Sequence, residues 1–343
     1  MKKLLNTLYV TSTNRYLSLD GENVVIFEDQ EEIGRVPLHN LEGIVTFGYT
    51  GASPALMGAC AKRNVDLSFM SGSGRFLARV SGEVKGNVTL RKEQYRVSEQ
   101  KKESIRIARN FITGKVYNAK WVLERAARDY PLRLDVTKLK EKSAYMSQNL
   151  IKIRECEEAE KLLGIEGESA SLYFSVFDEL ILQQKDDFYF EGRNKRPPLD
   201  NVNAMLSFAY TLLTGMCASA LEAVGLDPYV GFFHIDRPGR VSLALDLMEE
   251  LRSVMADRFV LTLINKKIVA ASGFSKKESG AVIMDDDTRK LFLSQWQNKK
   301  KETITHPFLS EKIEWGLVPY VQAMLLARYI RGDIDEYPPF FWK

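Results

Sequence analysis

One histidine followed by two carboxylates is the stretch of this sequence best suited to chemistry. His234 precedes Asp246 by twelve residues and Glu249 by fifteen, and the chain contains only three histidines. Asp246 and Glu249 are three residues apart, so a helix would place both carboxylates on one side. Carboxylate oxygens and an imidazole are ligands for divalent cations, and the stretch therefore indicates a metal site. On this stretch alone, the solvated face of an amphipathic helix explains the pattern better, because apolar side chains occupy the opposite face, namely Leu243, Leu247, Leu251 and Val254.

Glu166 is an acidic residue at a position where helical spacing predicts an apolar one. It shares a face with Ala170, Tyr173 and Phe177, so its carboxylate is expected to point toward packed side chains. A buried carboxylate needs an arginine, a proton or a metal ion, because an unpaired buried charge is strongly destabilising. The alternative is that Glu166 lies in the first turn of a helix, where the helix dipole favours acids and the flanking glycines form turns.

A basic loop that contains two prolines leads into a helix with a polar stripe. Asp200 is the predicted N-cap of this helix, because its side-chain oxygen can accept a hydrogen bond from a free backbone amide. Charged residues would serve a solvent-facing stripe better, and this stripe has none, so the pattern favours a helix that lines a site. The stripe consists of Asn203, Ser207, Tyr210 and Thr214.

Four motifs occur in the order in which they recur in a known family. They are Gly-Ile-Glu-Gly at 164–167, Arg-Pro-Pro-Leu-Asp-Asn-Val-Asn-Ala at 196–204, His234 followed by Arg-Pro-Gly-Arg at 237–240, and Ser-Leu-Ala-Leu-Asp-Leu-Met-Glu-Glu at 242–250. At these motifs the chain resembles the CRISPR-associated endonuclease and integrase of spacer acquisition, the universal first Cas protein family, and within it the type I-C branch. Segments 36–44, 320–322 and 337–340 extend the similarity over nearly the whole chain.

The resemblance implies specific roles for five residues. Glu166, His234 and Glu249 match the family's catalytic metal ligands, the last of which is aspartate or glutamate in the family and glutamate here. Asp246 matches a carboxylate close to the metal and is expected to be a supporting residue. Asn203 matches an asparagine near the site and is expected to support it as well.

The resemblance also implies a reaction, a cofactor and partners. The expected reaction is in-line transesterification, in which a DNA 3′-hydroxyl, or water in its place, attacks a phosphodiester. The expected cofactor is Mg²⁺ or Mn²⁺, and one imidazole among oxygen ligands favours Mn²⁺. The expected assembly is a homodimer that joins a small CRISPR-associated partner protein and binds duplex DNA and CRISPR array ends.

The pattern of the chain predicts an α+β protein with two domains. Residues 1–90 read as a β-rich, sandwich-like domain with strands at 8–10, 24–27, 45–47 and 66–70, a hairpin turn at Asp20-Gly21 and a short helix at 53–61. Residues 91–343 show long helical periodicities and are predicted to form a larger, all-helical, metal-dependent catalytic domain. The first domain has nine Lys or Arg and nine Asp or Glu, and this balance favours dimerisation there over DNA binding.

Basic residues concentrate in two places that could follow a phosphate backbone. Residues 91–154 carry seventeen Lys or Arg against seven Asp or Glu, although the whole chain has a formal charge of only +3. For this stretch alone, a solvated helical face is as good an explanation as DNA contact. Beside the proposed metal site, five basic residues are predicted to contact DNA: Arg193, Lys195, Arg196, Arg237 and Arg240.

Composition is that of an ordinary globular protein, with 45% hydrophobic and 27% charged residues. Cys60, Cys156 and Cys217 are odd in number and scattered, which argues against disulfides and cysteine-bound zinc and favours the cytoplasm. Residues 1–7 lack the continuous apolar run of a signal peptide, and no membrane segment is expected. Two other functions remain open: a non-catalytic DNA-binding scaffold, and a metal-dependent hydrolase of small phosphoesters.

Overall fold

The computed structural model describes residues 6–72, 74–80, 82 and 88–343. The prediction that there is no signal peptide concerns residues 1–7, most of which lie outside the described residues. The chain divides into two compact units. The first unit comprises Met1–Lys85, Gly273–Ser275 and Ile283–Glu302, and the second comprises Gly86–Ser272, Lys276–Val282 and Thr303–Lys343. The sequence pattern placed the segment 283–302 with the helical part, whereas the structure packs it with the first unit.

Two β-sheets and one helix build the amino-terminal part of the first unit. A four-stranded sheet has the order β1-β5-β6-β7, and a three-stranded antiparallel sheet has the order β2-β3-β4. Helix α1 connects β5 to β6, which pair in parallel. The elements are β1 Thr7–Val10, β2 Arg15–Asp20, β3 Asn23–Glu28, β4 Glu31–Pro37, β5 Gly43–Phe47, α1 Pro54–Arg63, β6 Asp66–Met70 and β7 Phe76–Val80.

Both sheets and α1 contribute to one hydrophobic core. Leu17 and Val24 come from the three-stranded sheet, Ile44 and Leu67 from the four-stranded sheet, and Leu56 from α1, and all five are fully buried. The shared core confirms the sandwich-like arrangement, and each predicted strand, the hairpin turn and the short helix are present. Short apolar runs bounded by turn residues made this part of the fold predictable from sequence.

The second unit is mainly helical. Its helices pack around buried faces rich in Leu, Val, Ile and Phe. The remaining elements of the chain are α2 Val88–Glu99, α3 Lys101–Asp129, α4 Val136–Glu155, α5 Ala159–Phe174, α6 Asn201–Val224, α7 Ser242–Glu249, α8 Arg258–Asn265, β8 Phe274–Lys276, β9 Val282–Met284, α9 Asp286–Lys301, β10 Thr303–Thr305, β11 Lys312–Glu314 and α10 Val318–Ile330.

The predicted fold class is confirmed, because a β-rich amino-terminal part precedes a helical part. The helical part is not purely helical, since the two short hairpins β8–β9 and β10–β11 interrupt it. Strands of three residues are too short for alternating hydrophobicity to distinguish them from loops, and the expectation of an all-helical part therefore missed them.

Helix α6 is the central helix of the second unit. Asp200 caps it by accepting a hydrogen bond from the Asn203 backbone amide at 2.7 Å, as predicted, and Gly225 ends it with a φ of 89°. The helix is long and apolar enough to cross a membrane by length and composition, but 67% of its most apolar window is buried inside the protein. Its hydrophobicity is thus explained by its place in the core.

The carboxyl-terminal segment is fastened to Glu250, a fully buried carboxylate directly after α7. Tyr337 donates its hydroxyl to Oε1 at 2.5 Å, and the Phe340 amide donates to Oε2 at 2.5 Å. Gln322 donates a third hydrogen bond at 2.9 Å. Asn118 of α3 donates at 2.7 Å to the carbonyls of both Glu250 and Phe340, so α3, α7 and the segment 337–342 are held together.

Gly114 lets α3 approach this network closely. A Cβ atom at this position would lie 2.9 Å from Cγ of Glu250, which is inside van der Waals contact. Glycine in a helix interior costs stability relative to alanine, so its presence here is explained by the close contact.

Replacing Gly114 by alanine is expected to lower the free energy of unfolding by about 1–3 kcal/mol, because the added methyl group overpacks the α3–Glu250 contact. The matched control is Gly215→Ala in α6, where nothing lies within 4 Å of the new Cβ. That substitution is expected to raise stability by about 0.5–1 kcal/mol. Urea unfolding in EDTA compares the two, and equal stability of both variants would contradict the close contact.

Candidate metal centre

Four side chains from different parts of the second unit are linked by contacts, because Lys115 binds Glu166 and Glu249, and Glu249 lies 3.9 Å from His234. Lys115 comes from α3, Glu166 from α5, His234 from the loop before α7, and Glu249 from the end of α7. Glu166, His234 and Glu249 are the three residues that the sequence motifs implied as metal ligands. The structure thus brings together residues separated by up to eighty-three positions in sequence.

Asp246 fixes the orientation of His234. Its Oδ1 atom lies 2.6 Å from Nδ1 of His234 and accepts the His234 backbone amide at 2.9 Å. Its Oδ2 atom accepts the amides of Phe232 and Phe233 at 2.7 and 3.0 Å. A carboxylate at Nδ1 favours the tautomer with the proton on that nitrogen, which leaves the Nε2 lone pair facing Glu249, 3.9 Å from its Oε1. Asp246 is therefore a supporting residue in position, as the motifs implied.

Glu249 is a charged carboxylate with only 3% of its side chain exposed. Burial by itself raises the pKa of Glu249, but the positive charges of Arg252 and Lys115 outweigh it and lower the pKa to about 2. Arg252 lies 2.9 Å and Lys115 2.7 Å from the carboxylate oxygens. The carboxylate is ionised at neutral pH and is available as an anionic ligand.

Glu166 lies in the middle of α5, with 17% of its side chain exposed. The alternative that it occupies the first turn of a helix is therefore wrong, and Gly164 and Gly167 are helical rather than turn residues. Its partner is Lys115, whose ammonium group contacts Oε1 directly. The sequence predicted a partnered carboxylate at Glu166 but did not anticipate a lysine as the partner.

The donor set suits a hard divalent cation. Among the described residues, no three His, Cys, Asp or Glu side chains lie close enough to enclose a metal ion. The space between the carboxylates of Glu166 and Glu249 holds the ammonium group of Lys115, which is itself a cation bound by both. Two carboxylates that share one cation, with an imidazole Nε2 3.9 Å from one of them, are donor types that suit Mg²⁺ or Mn²⁺, so the chemistry of these residues fits such an ion.

A second group of side chains holds Arg252. The Arg252 guanidinium lies over the Tyr210 ring, 4.7 Å from its centroid, and the Tyr210 hydroxyl donates to Asp257 at 2.6 Å. Burial raises the pKa of Asp257 to about 6, against the effect of its hydrogen bonds and of Arg252. Arg252–Asp257 form a π-helical turn between α7 and α8, a geometry that is frequent at functional sites.

A cavity of about 490 Å³ opens beside these groups. Several buried polar atoms in its lining residues have no hydrogen-bond partner in the described part of the chain, among them Nε of Arg193, Nε of Arg252 and Oγ of Ser253. The lining combines four cationic residues with three acidic ones, Glu166, Glu191 and Asp257, and with aromatic rings. It includes Lys115, Glu166, Tyr173, Phe174, Arg193, Lys195, Tyr210 and Arg252.

Asn203 lies in the first turn of α6 and Arg193 in the loop before it, and the two side chains bond to each other. The Asn203 amide makes four hydrogen bonds, all to residues 192–200, including one from Arg193 at 2.6 Å. Arg193 also donates to Ser207 at 3.0 Å, so its guanidinium is committed to the polar stripe of α6. The stripe was predicted to line a site, and one of its members, Tyr210, lines the cavity, whereas the hydrogen bonds of Asn203 go to residues 192–200. A supporting role of Asn203 at the metal site stays a prediction.

The other predicted DNA contacts occupy different places. Lys195 lines the cavity, where burial and then the charge of Arg252 lower its pKa. Arg196 and Arg237 are exposed, and Arg240 is half-buried in the loop that follows His234. DNA contact by Lys195, Arg196, Arg237 and Arg240 remains a prediction.

Lys115 and Arg252 are the residues that the sequence patterns did not single out. Lys115 lies on the buried face of α3 beside Ile112, Val116 and Ala119, and so breaks an apolar stripe just as Glu166 does. That signal was present in the sequence, and complementary charges on two apolar stripes predict a buried ion pair. Arg252 has a weaker signal, because an arginine three residues after a glutamate is common on helix surfaces.

Proteins of one class share similarity with this chain. The chain has a two-unit fold with two carboxylates, a histidine and two cations clustered in its second unit. The family model described as CRISPR associated protein Cas1 matches residues 8–298, and the chain belongs to this family. It is 51% identical over 343 residues to the CRISPR-associated endonuclease Cas1 1 of Chlorobaculum tepidum, with both proteins covered completely. It is 52% identical over 347 residues to the CRISPR-associated endonuclease Cas1 2 of Rhodospirillum rubrum, again with both covered completely.

Solved structures show the same fold. A casposase bound to its integration product is similar with a TM-score of 0.83 at 24% identity, over 97% of this chain and 92% of the casposase. A CAS1 protein from Thermotoga maritima is similar with a TM-score of 0.81 at 20% identity, over 95% of this chain and 97% of that protein. The family resemblance inferred from the motifs is confirmed.

The raised pKa of Asp257 predicts a pH dependence of stability. The pKa is about 6 in the fold against an ordinary value of 3.8, so Asp257 favours the folded state fully below about pH 4, and this contribution is lost as the pH rises through 6. Asp257→Asn removes the titration, and from pH 4 to 7.5 the variant is expected to gain up to about 3 kcal/mol relative to the wild type.

Urea unfolding at both pH values in EDTA measures this difference. The control is Asp287→Asn, which neutralises a side chain that is 94% exposed and is expected to shift stability equally at both pH values. If Asp257→Asn shows the same pH profile as the wild type, Asp257 does not titrate in this range.

Proposed function

We propose that this protein is a metal-dependent DNA endonuclease and integrase that inserts new spacers into CRISPR arrays. The observation that supports the proposal is that Glu249 shares the ammonium group of Lys115 with Glu166 and lies 3.9 Å from Nε2 of His234, beside a cavity lined by Arg193, Lys195 and Arg252. Relatives named CRISPR-associated endonucleases share about half of its residues over their full length. A casposase of the same fold was solved with an integration product, which supports strand joining as the reaction.

Glu166, His234 and Glu249 would hold Mg²⁺ or Mn²⁺, with the imidazole favouring Mn²⁺. When bound, the ion supplies Lewis-acid stabilisation of the charge that develops on the phosphodiester oxygens. Asp246 presents Nε2 of His234 by bonding Nδ1, and Arg252 keeps Glu249 ionised.

The reaction exchanges one phosphodiester bond for another. A DNA 3′-hydroxyl forms a bond to phosphorus as the array strand's 3′-oxygen leaves, and water in place of the hydroxyl gives cleavage. The proton lost by the nucleophile is balanced by the proton gained by the leaving oxygen. Lys195 and Arg252 line the cavity beside the carboxylates, where their charges would offset that of the phosphates.

The proposed assembly is a homodimer that uses the β-rich first unit and joins a small CRISPR-associated partner and DNA. The balanced charge of residues 1–90 supports protein contact there. A structure titled as a Cas6-RT-Cas1–Cas2 complex contains a chain of this fold, with a TM-score of 0.83 at 17% identity, which supports a Cas partner. The cytoplasm, where DNA is accessible and thiols stay reduced, is the proposed location.

Loss of a ligand is expected to abolish chemistry while the fold persists. His234→Ala and Glu249→Ala each remove one of three ligands, so strand joining and cleavage with Mn²⁺ are expected to fall below detection. Asp246→Ala leaves the ligands in place but frees the imidazole, and a loss of about 10- to 100-fold is expected. Glu168→Ala is the control, because Glu168 lies two residues from Glu166 on α5 but is exposed.

Gel assays of joining and cleavage on labelled DNA, with circular dichroism for folding, separate the outcomes. Full activity of His234→Ala with Mn²⁺ would refute the ligand assignment. DNA binding that is indifferent to EDTA, with no strand chemistry by the wild type, would instead indicate a DNA-binding scaffold. Turnover of a model phosphodiester without turnover of DNA would indicate a hydrolase of small phosphoesters.

DNA affinity is expected to be mainly electrostatic. If about six phosphates are neutralised, the logarithm of the association constant should fall against the logarithm of salt concentration with a slope near −5. Lys195→Glu with Arg196→Glu is expected to flatten the slope and weaken two unrelated duplexes equally. Fluorescence anisotropy across a salt series measures this, and a flat wild-type slope or a strong preference for one duplex would contradict it.

A further inference from the structure

Lys115 is largely buried, unlike a lysine on a helix surface. It lies in the middle of α3, with 14% of its side chain exposed, and its ammonium group contacts Oε1 of Glu166 and lies 2.7 Å from Oε2 of Glu249. Each carboxylate comes from a different helix. The ammonium group is therefore bound between two anions that are largely removed from water, where charge pairing is much stronger than at a surface.

The carboxylates contacted by Lys115 are the two that would bind the metal ion. A cation bound by Glu166 and Glu249 together needs the space that the ammonium group fills. We propose that Lys115 is a tethered cation that competes with the metal ion for these carboxylates, an inference that rests on the proposed function. In the resting protein it neutralises their mutual repulsion, and it must leave for the metal to bind.

The surroundings indicate where the displaced ammonium group goes. Lys115 also lines the cavity, whose other cationic residues include Arg193, Lys195 and Arg252. These three cations outnumber the two acids of the lining other than Glu166, namely Glu191 and Asp257, so a further ammonium group is disfavoured there unless an anion has entered. A DNA phosphate is such an anion, and it would hold the ammonium group away from the carboxylates.

Metal and DNA are then expected to bind cooperatively. A phosphate in the cavity stabilises the displaced conformation of Lys115 and so favours metal binding, and a bound metal favours the phosphate by the same factor, because linkage is reciprocal. Lys115 would thereby keep metal affinity low until DNA arrives. Its role is that of a positioning residue, since it acts through the two glutamates.

Mn²⁺ binding without DNA tests the competition directly. Electron paramagnetic resonance of free Mn²⁺ gives the Kd for the wild type, for Lys115→Met and for the control Lys102→Met, which removes an exposed lysine from the same helix. Lys115→Met is expected to bind Mn²⁺ at least about fivefold more tightly than the wild type, whereas Lys102→Met is expected to match the wild type. If Lys115→Met does not fold, Lys115→Gln takes its place.

Affinity for a fluorescein-labelled duplex, read by stopped-flow anisotropy before cleavage, tests the coupling. Mn²⁺ is expected to tighten DNA binding at least about fivefold more in the wild type than in Lys115→Met. Equal or weaker Mn²⁺ binding by Lys115→Met, or equal coupling in both proteins, would overturn the proposal while leaving the ligand assignment intact. A wild type that binds no Mn²⁺ even with DNA would overturn the proposed function and this inference with it.

Discussion

Two consecutive buried carboxylates, Glu249 and Glu250, are the constraint on which the second unit depends. They follow each other at the end of α7, so their side chains point in different directions, and each must be satisfied separately. Glu249 is met by Lys115, Arg252 and His234, whereas Glu250 is met by the neutral donors of the carboxyl-terminal segment. The same two residues therefore determine both the cation position, through Glu249, and the packing of α3 against the end of the chain, through Glu250.

The environments give the two carboxylates opposite electrostatic characters. Cations lower the pKa of Glu249 to about 2, whereas burial raises the pKa of Glu250 to about 8 because its partners carry no charge. Glu249 is suited to hold a cation, and Glu250 is suited to a structural role within a hydrogen-bonded network. Identical side chains at adjacent positions thus acquire different functions from their neighbours alone.

Much of the fold and part of the site could be predicted from sequence. Short apolar runs bounded by turn residues, such as 24–27 and 66–70, have a local signal that the tertiary structure does not override, and the Asp200 cap has one too. The motifs predicted that Glu166, His234 and Glu249 belong to one site. No local sequence pattern could predict this, because these residues are up to eighty-three positions apart. Lys115 was missed although it interrupts an apolar stripe of α3, because the stripe does not indicate which charge on another helix is its partner. DNA contact by Arg193 stays a prediction, and a basic loop does not reveal that Asn203 and Ser207 accept hydrogen bonds from its guanidinium.

The anchoring of Glu250 by residues 337–342 has a consequence for synthesis of the chain. A ribosome that has translated α7 and even α10 carries a nascent chain in which Glu250 still lacks Tyr337 and the Phe340 amide. Lys115 and Asn118 already attach α3 to Glu249 and to the Glu250 carbonyl at that stage, so the missing part is confined to the Glu250 carboxylate. Until residues 337–340 have been made, this carboxylate is left without two of its donors, and an incomplete set of donors favours exposure of the end of α7 to water.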